Sequence, residues 1–289
     1  MTNTEPIIRI NVDVTNPGQF FACCGLLELA SRIDQYAMAH FENGQFWVAG
    51  DVQTVLDRFF ACKVKVDTKA VVKSDDDADE ADEKDEVNSH RGRIYPMTLG
   101  DPFNLLLDWW NDREAQGQRL KTWTAGMRVT DLLLGFHKKQ KRKGQTVLTY
   151  IPSMRDHFAA AVKRSPDDWL RETWPIKEPS DFAYDSRLSR KNALDLGHTS
   201  IGIMAFSPAI DVLTLIGLQR FRPRMVEVWT RNRYFTWSQP LPVEVAAVAT
   251  LGLLPRLNGT CFEFPIKARD AQGRYKLFGH AQPIRSSHV

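Results

Sequence analysis

Residues 12–33, VDVTNPGQFFACCGLLELASRI, combine a strand exit, a helix start and an apolar helix, and the rest of the fold is organised around them. Just before and into this stretch, residues 7–14 (IIRINVDV) put Ile8, Ile10, Val12 and Val14 on one face, the alternation of a half-buried strand. Asn16 can accept from an orphan helix N–H, Pro17 suits the first helical position because no donor is needed there, and Gln19 stands where a capping box wants Glu or Gln. From Phe20 onward, Phe21, Cys23, Cys24, Leu26, Leu27, Leu29 and Ala30 leave little polar face, so the helix is expected to be enclosed on nearly all sides. Gly25 in mid-helix costs roughly 1 kcal/mol against Ala, which predicts close approach of another backbone.

Outward from this helix the pattern mixes strands with amphipathic helices. Residues 37–43 read as a connection, 45–49 (QFWVA) as a strand, and 52–62 as a helix capped by Asp51 with Val55, Leu56, Phe59 and Phe60 at helical spacing. Residues 63–72 read as a strand and 93–98 as a short edge strand broken by Pro96. Asp101 and Pro102 repeat the cap-then-proline signal, predicting a helix over 101–110 whose Phe103, Leu106, Leu107 and Trp110 form a buried stripe. Helices are also expected over 124–136, 151–164, 209–221 and 241–254, and a closing hairpin over 261–268 and 275–283. The 209–221 helix, opened by Ser207 and Pro208, echoes the first one, which suggests two related strand-helix units. Without regular β-α alternation, the expected class is α+β: mixed or antiparallel sheet elements packed by apolar helices, with two ferredoxin-like or similar lobes as one arrangement. The proline-bearing connector 165–180 is the candidate boundary between an N-terminal lobe (1–164) and a C-terminal lobe (181–289), though one domain with a long surface excursion would look the same.

Charge is segregated. Residues 74–86 (SDDDADEADEKDE) carry a net charge of −8 against +3 for the whole chain, which leaves +11 on the remainder. The acidic insertion 74–92 has too little apolar content to fold and is expected to be disordered. A body this basic favours a polyanionic partner wherever its cations cluster. Residues 137–143 (HKKQKRK) are the densest cluster, with Lys138, Lys139, Lys141, Arg142 and Lys143; they read equally as a cationic helix end or as a phosphate-binding patch. Arg187, Arg190 and Lys191 form a second group in a loop. Arg220, Arg222, Arg224, Arg231 and Arg233 form a third, interleaved with Phe221, Trp229, Tyr234, Phe235 and Trp237. Such a region could set guanidinium groups on phosphates and rings on unpaired bases, or turn its rings into the core.

Catalytic signatures are absent from the sequence. The seven histidines show no metal-binding spacing, and no phosphate-binding Gly-rich loop, dinucleotide fingerprint or nucleophile elbow occurs. No cofactor or metal is expected, and binding is favoured over catalysis. A metal-independent RNA-cleaving site built from Tyr184, Lys191 and His198 is a weaker alternative. Cys23, Cys24, Cys62 and Cys261 read as reduced core thiols. Lacking a long apolar run or a signal peptide, the chain is expected to be soluble and cytoplasmic.

The segments VDVTNPGQFFACCGLLELA (12–30), LGDPFNLLLDWW (99–110), YDSR (184–187) with ALDLG (193–197) after it, and IGLQRFRPR (216–224) resemble a small protein family encoded with type I-G (formerly I-U) CRISPR-Cas systems. None of these blocks is a catalytic signature, and the acidic insertion has no counterpart in the family pattern. The resemblance implies a bacterial cytoplasmic protein of RNA-guided antiviral defence, working with a crRNA-bound, Cascade-like complex and a separate helicase-nuclease. In such systems base pairing reads sequence while protein binds backbone and shape. Three roles follow: a non-catalytic subunit or accessory factor that binds crRNA, target DNA or neighbouring Cas subunits; a ribonuclease processing precursor crRNA; or a protein-only adaptor that recruits the helicase-nuclease.

Overall fold

The computed structural model describes residues 7–68, 72–73, 93–112, 117–123, 128–142, 145–175, 182–187, 205–227, 230–257, 259–268 and 276–284. The acidic insertion 74–92 lies outside the described residues, as do Lys143, Arg190, Lys191 and His198.

The chain opens with β1 (Ile7–Asn11), α1 (Pro17–Ile33), β2 (Met38–Glu42), β3 (Gln45–Ala49), α2 (Val52–Ala61) and β4 (Val64–Val66). The Asn16 side chain accepts from the amides of Gly18 and Gln19, and Pro17 takes the first helical position. Gln19 reaches back one turn further than a capping box does, accepting from the Asp13 amide at 2.8 Å. β3 is central and antiparallel to both β1 and β2. Residues 37–43 prove to be mostly strand rather than connection, because Asn43 and Gly44 turn the chain with φ of 50° and 73°, the left-handed pair of a type I′ hairpin. Ala39 and Phe41 of β2 then face the core while Met38 and Glu42 face out.

The middle of the chain departs furthest from the sequence reading. β5 (Val72–Lys73) pairs with β6 (Arg93–Ile94), and β7 (Met97–Leu99) lies between β4 and β8 (Leu105–Leu107). Pro96 therefore separates two strands, and the second is central in its sheet rather than an edge. Residues 101–110 are not a helix: a turn leads into β8, followed by the 3-10 turn Trp109–Asn111. Leu105 and Leu107 are buried while Leu106 is 47% exposed, a period of two that belongs to a strand. After α3 (Gly117–Leu120), the expected 124–136 helix is a single 3-10 turn, Val129–Leu132, within the described residues. β9 (Phe136–Arg142) follows, pairing with β10 (Gln145–Ile151). The basic patch is thus a strand and not a helix end. An extended chain spaces these cations at roughly 3.3 Å per residue instead of 1.5 Å, which lowers their mutual repulsion.

α4 (Met154–Arg164) begins with a capping box between Ser153 and Asp156, and β11 (Trp174–Pro175) pairs with β12 (Ala205–Phe206). From β12 the opening order of elements recurs with one strand added: α5 (Pro208–Gly217), the hairpin β13 (Arg224–Glu227) and β14 (Arg231–Phe235), the additional short β15 (Leu241–Pro242) and α6 (Val243–Thr250). The halves differ where β14 pairs with the long β16 (Cys261–Ala268), which also pairs with β17 (Lys276–Phe278) and β18 (Gln282–Ile284). The fold is α+β, and the strand pairings among the described residues are antiparallel.

α1 and α5 cross at glycines. A Cβ on Gly25 would overlap the Leu213 carbonyl oxygen, and one on Gly217 would overlap the Phe21 carbonyl oxygen. Thr214 reinforces the crossing by donating to the Gly18 carbonyl at 2.9 Å. Every residue of α1 from Pro17 to Ala30 is buried. Phe20 stacks on Tyr234 at 4.3 Å and on Phe41 at 5.1 Å. Tyr234 donates to the Val14 carbonyl at 2.6 Å and Trp237 to the Ala39 carbonyl at 2.7 Å, so these buried rings leave no polar atom stranded. A single hydrophobic cluster draws residues from both sides of the 165–180 connector. The four cysteines are free and buried, and burial pushes the Cys23 and Cys24 thiols well above their usual range.

Candidate nucleic-acid interface

The β9–β10 hairpin pairs with no other strand among the described residues. Its register sets Lys139 opposite Leu148, Lys138 opposite Thr149 and His137 opposite Tyr150. Because directly opposed residues share a face, His137, Lys139 and position 141 line one side together with Tyr150, Leu148 and Thr146. Position 142 falls on the other side with Lys138. His137, Lys138 and Lys139 are exposed, Leu148 is 60% exposed and Tyr150 52%, and the His137 and Tyr150 rings lie 5.4 Å apart. Five Lys or Arg and no carboxylate occur between residues 136 and 151. The hairpin therefore presents cations beside the exposed Leu148 and the half-exposed Tyr150, whose ring packs on Gly135 and whose hydroxyl donates to Asp156 at 3.4 Å.

At the foot of the hairpin lies a cavity of ≈ 300 Å³, walled by Val66, Tyr95, Leu134 and Phe136 and bearing Arg128 and Asp131 as its charged groups. The Arg128 guanidinium sits 4.2 Å over the Phe136 ring, and its Nε lies 3.1 Å from Asp131 Oδ1. Burial raises the Asp131 carboxyl to about 6, and the positive charge and hydrogen bond of Arg128 offset that rise only in part. A carboxyl that titrates so near neutrality in a cleft is a functional-site signal with a physical cause. Phe136 is both a wall of the cavity and the first residue of β9, so cavity and basic strand are continuous.

The other cationic groups are disposed differently. Arg187 forks onto Asp185 with contacts of 2.6–3.0 Å, and Asp185 in turn accepts from the Asn16 side chain at 2.8 Å. Arg220 bonds the buried Glu28 at 2.5 Å, Arg222 bonds Asp112 at 2.7 Å, Arg231 bridges Glu227 and Glu263, and Arg233 meets Glu263 at 2.7 Å. Each of these guanidinium groups would have to exchange a carboxylate for a phosphate. Arg224 is exposed at the outer strand of its sheet, opposite Arg233. Phe221, Tyr234 and Trp237 are fully buried, which decides for the core alternative at these three rings, while Phe235 is partly exposed. Trp229 lies outside the described residues. Tyr184 is likewise buried, and burial, then the charge of Asp211, pushes its phenol well above the usual range. Such a group is closed to an RNA backbone, and its proposed companions Lys191 and His198 lie outside the described residues. Lys141 and Arg142 are placed in β9 by their backbone.

One polar network escapes the sequence reading. Thr15 donates to Asp13 Oδ1 at 2.6 Å, so its oxygen accepts from His280 Nε2 at 2.8 Å, and His280 Nδ1 lies 3.1 Å from the Ser186 hydroxyl. The buried Asn16 oxygen accepts from the Gly18, Gln19 and Ser186 amides. This network ties the loop 182–187 and the segment after β17 to the start of α1. Its members lie up to 265 positions apart, and only the capping role of Asn16 carries a local signal. Among the described residues no group of His, Cys, Asp and Glu could hold a metal ion, and no helix is long and apolar enough to cross a membrane. No family model, curated protein or solved structure matches the chain.

Proposed function

We propose that this chain is a non-catalytic nucleic-acid-binding subunit or accessory factor, which grips a sugar-phosphate backbone through the β9–β10 hairpin. The observation that carries this reading is the hairpin itself: a self-paired ribbon with five cations, no carboxylate of its own, an exposed leucine and a half-exposed tyrosine ring. Among the candidate arginines outside the hairpin, Arg187, Arg220, Arg222, Arg231 and Arg233 are engaged with carboxylates. The resemblance in sequence to the type I-G CRISPR-Cas family supplies the setting we propose: RNA-guided antiviral defence in the cytoplasm, with crRNA or target DNA as the polyanion and a Cascade-like complex and helicase-nuclease as protein partners.

Electrophoretic mobility of crRNA, single-stranded DNA and duplex DNA across a salt series tests the reading. Binding should weaken steeply with salt, and changing Lys138, Lys139, Lys141, Arg142 and Lys143 together to Ala should flatten the slope by roughly 0.7–0.9 for each phosphate the variant no longer neutralises. No shift of any ligand by folded protein at low salt would overturn it and favour the protein-only adaptor.

A further inference from the structure

We propose that the cavity at the foot of the hairpin holds one unpaired nucleobase of the strand whose phosphates the hairpin grips. This rests on the reading of β9–β10 as a backbone-binding ribbon and adds that the preferred polyanion is single-stranded. Three features lead here. The first is size: at ≈ 300 Å³ the cavity falls at the low end of small-molecule sites, which run from about 300 to 1,000 Å³, and suits a single flat ring system better than a whole nucleotide.

The second is chemistry. Val66, Leu134, Tyr95 and Phe136 give apolar and aromatic walls, while Arg128, Asp131, Thr68 and Thr130 bring a few polar groups to the same space. Proteins that take up an unstacked base use this combination, apolar or aromatic walls against the ring faces and polar groups at its edge. Arg128 meets Asp131 through Nε, and its two Nη groups are further donors for a ring carbonyl or nitrogen. Asp131 is the matching acceptor when ionised and a donor when protonated. The third is continuity: Phe136 passes directly into the strand that carries Lys138 and Lys139. Successive groups of one strand can therefore reach hairpin and cavity together.

The test compares three single-stranded DNA probes of equal length and charge on wild-type protein: intact, abasic throughout, and carrying one 2-aminopurine. The intact probe should bind roughly 5- to 150-fold more tightly than the abasic one, the range expected for one stacked base. Both should show the same salt slope, and 2-aminopurine emission should change on binding. Leu134→Trp, which fills the cavity, should erase the intact-over-abasic preference and leave the slope unchanged. Equal affinity for intact and abasic probes overturns the proposal while leaving the backbone reading standing. A preference that survives in folded Leu134→Trp protein also overturns it. Failure of every probe to bind removes the backbone reading and this one with it.

Discussion

The α1–α5 crossing and the β9–β10 hairpin solve opposite problems. At the crossing, two apolar helices approach until their backbones touch at Gly25 and Gly217, and almost every side chain nearby is hidden. In the hairpin, two strands pair only with each other among the described residues and leave Leu148 and about half of Tyr150 exposed. The first region derives its stability from close packing and has no freedom to do anything else. The second adds little to the core and is free to bind. The sharpest way to break this contrast is Gly25→Ala or Gly217→Ala, since each new methyl meets a backbone oxygen that no rotamer change can move. Urea unfolding should show a loss of roughly 3 kcal/mol or more for either change. Because both methyls enter the same crossing, the double variant should lose less than the two combined. A loss below about 1 kcal/mol would mean that the helices can slide apart, and the crossing would not be the rigid centre of the fold.

Asn16→Ala probes the polar edge of that same crossing. It removes a helix cap and leaves the buried Ser186 amide and the Asp185 carboxylate short of a partner, so a loss of about 2–4 kcal/mol is expected from chemical denaturation. Asn16→Asp should not rescue it, because a second carboxylate would face Asp185.

The same contrast explains what can be read from sequence. α1 is legible because its signals are local: an Asn-Pro start, an unbroken apolar run, and a glycine whose cost implies a neighbour. The neighbour is the helix that echoes it, although nothing local says that the two would meet. Residues 101–110 mislead because DP followed by FNLLLDWW fits helical and alternating periods equally over so short a span, and only the pairing of β8 with β7 decides between them. Residues 37–43 read as a connection despite Asn43-Gly44, a hairpin signal in plain view. In the interface, clustering of charge marks residues 138–143, but composition does not tell paired arginines from open ones. Glu28, Asp112 and Glu263 lie 192, 110 and 30 positions from Arg220, Arg222 and Arg233. The cavity is illegible for the same reason, since Val66, Tyr95 and Asp131 come together only through the fold.

Asp131 stands between the two regions, half-buried at the foot of the hairpin. Its carboxyl holds a proton to a higher pH when folded than when unfolded, so the folded state binds more protons between about 4 and about 6. Stability therefore falls as pH rises through that window, and the ionised carboxylate is a standing cost at neutral pH. Asp131→Asn should gain roughly 1–3 kcal/mol at pH 7.5, allowing for solvent screening, and little at pH 4. Thermal melts of both proteins across this range would check it. A loss at pH 7.5 would mean that the ion pair with Arg128 outweighs burial.

The smallest effect on stability is expected where the effect on binding is largest. Changing Lys138, Lys139, Lys141, Arg142 and Lys143 to Ala removes five like charges from one short ribbon, so relief of repulsion offsets whatever strand propensity alanine loses. The net change in unfolding free energy should stay within about 0.5 kcal/mol, as for surface substitutions in general. A loss above about 1 kcal/mol would show that these side chains hold the hairpin to the body, and the division between a packed crossing and an open ribbon would fail. If stability is kept while affinity for single strands falls, the hairpin's charge serves recognition and not the fold.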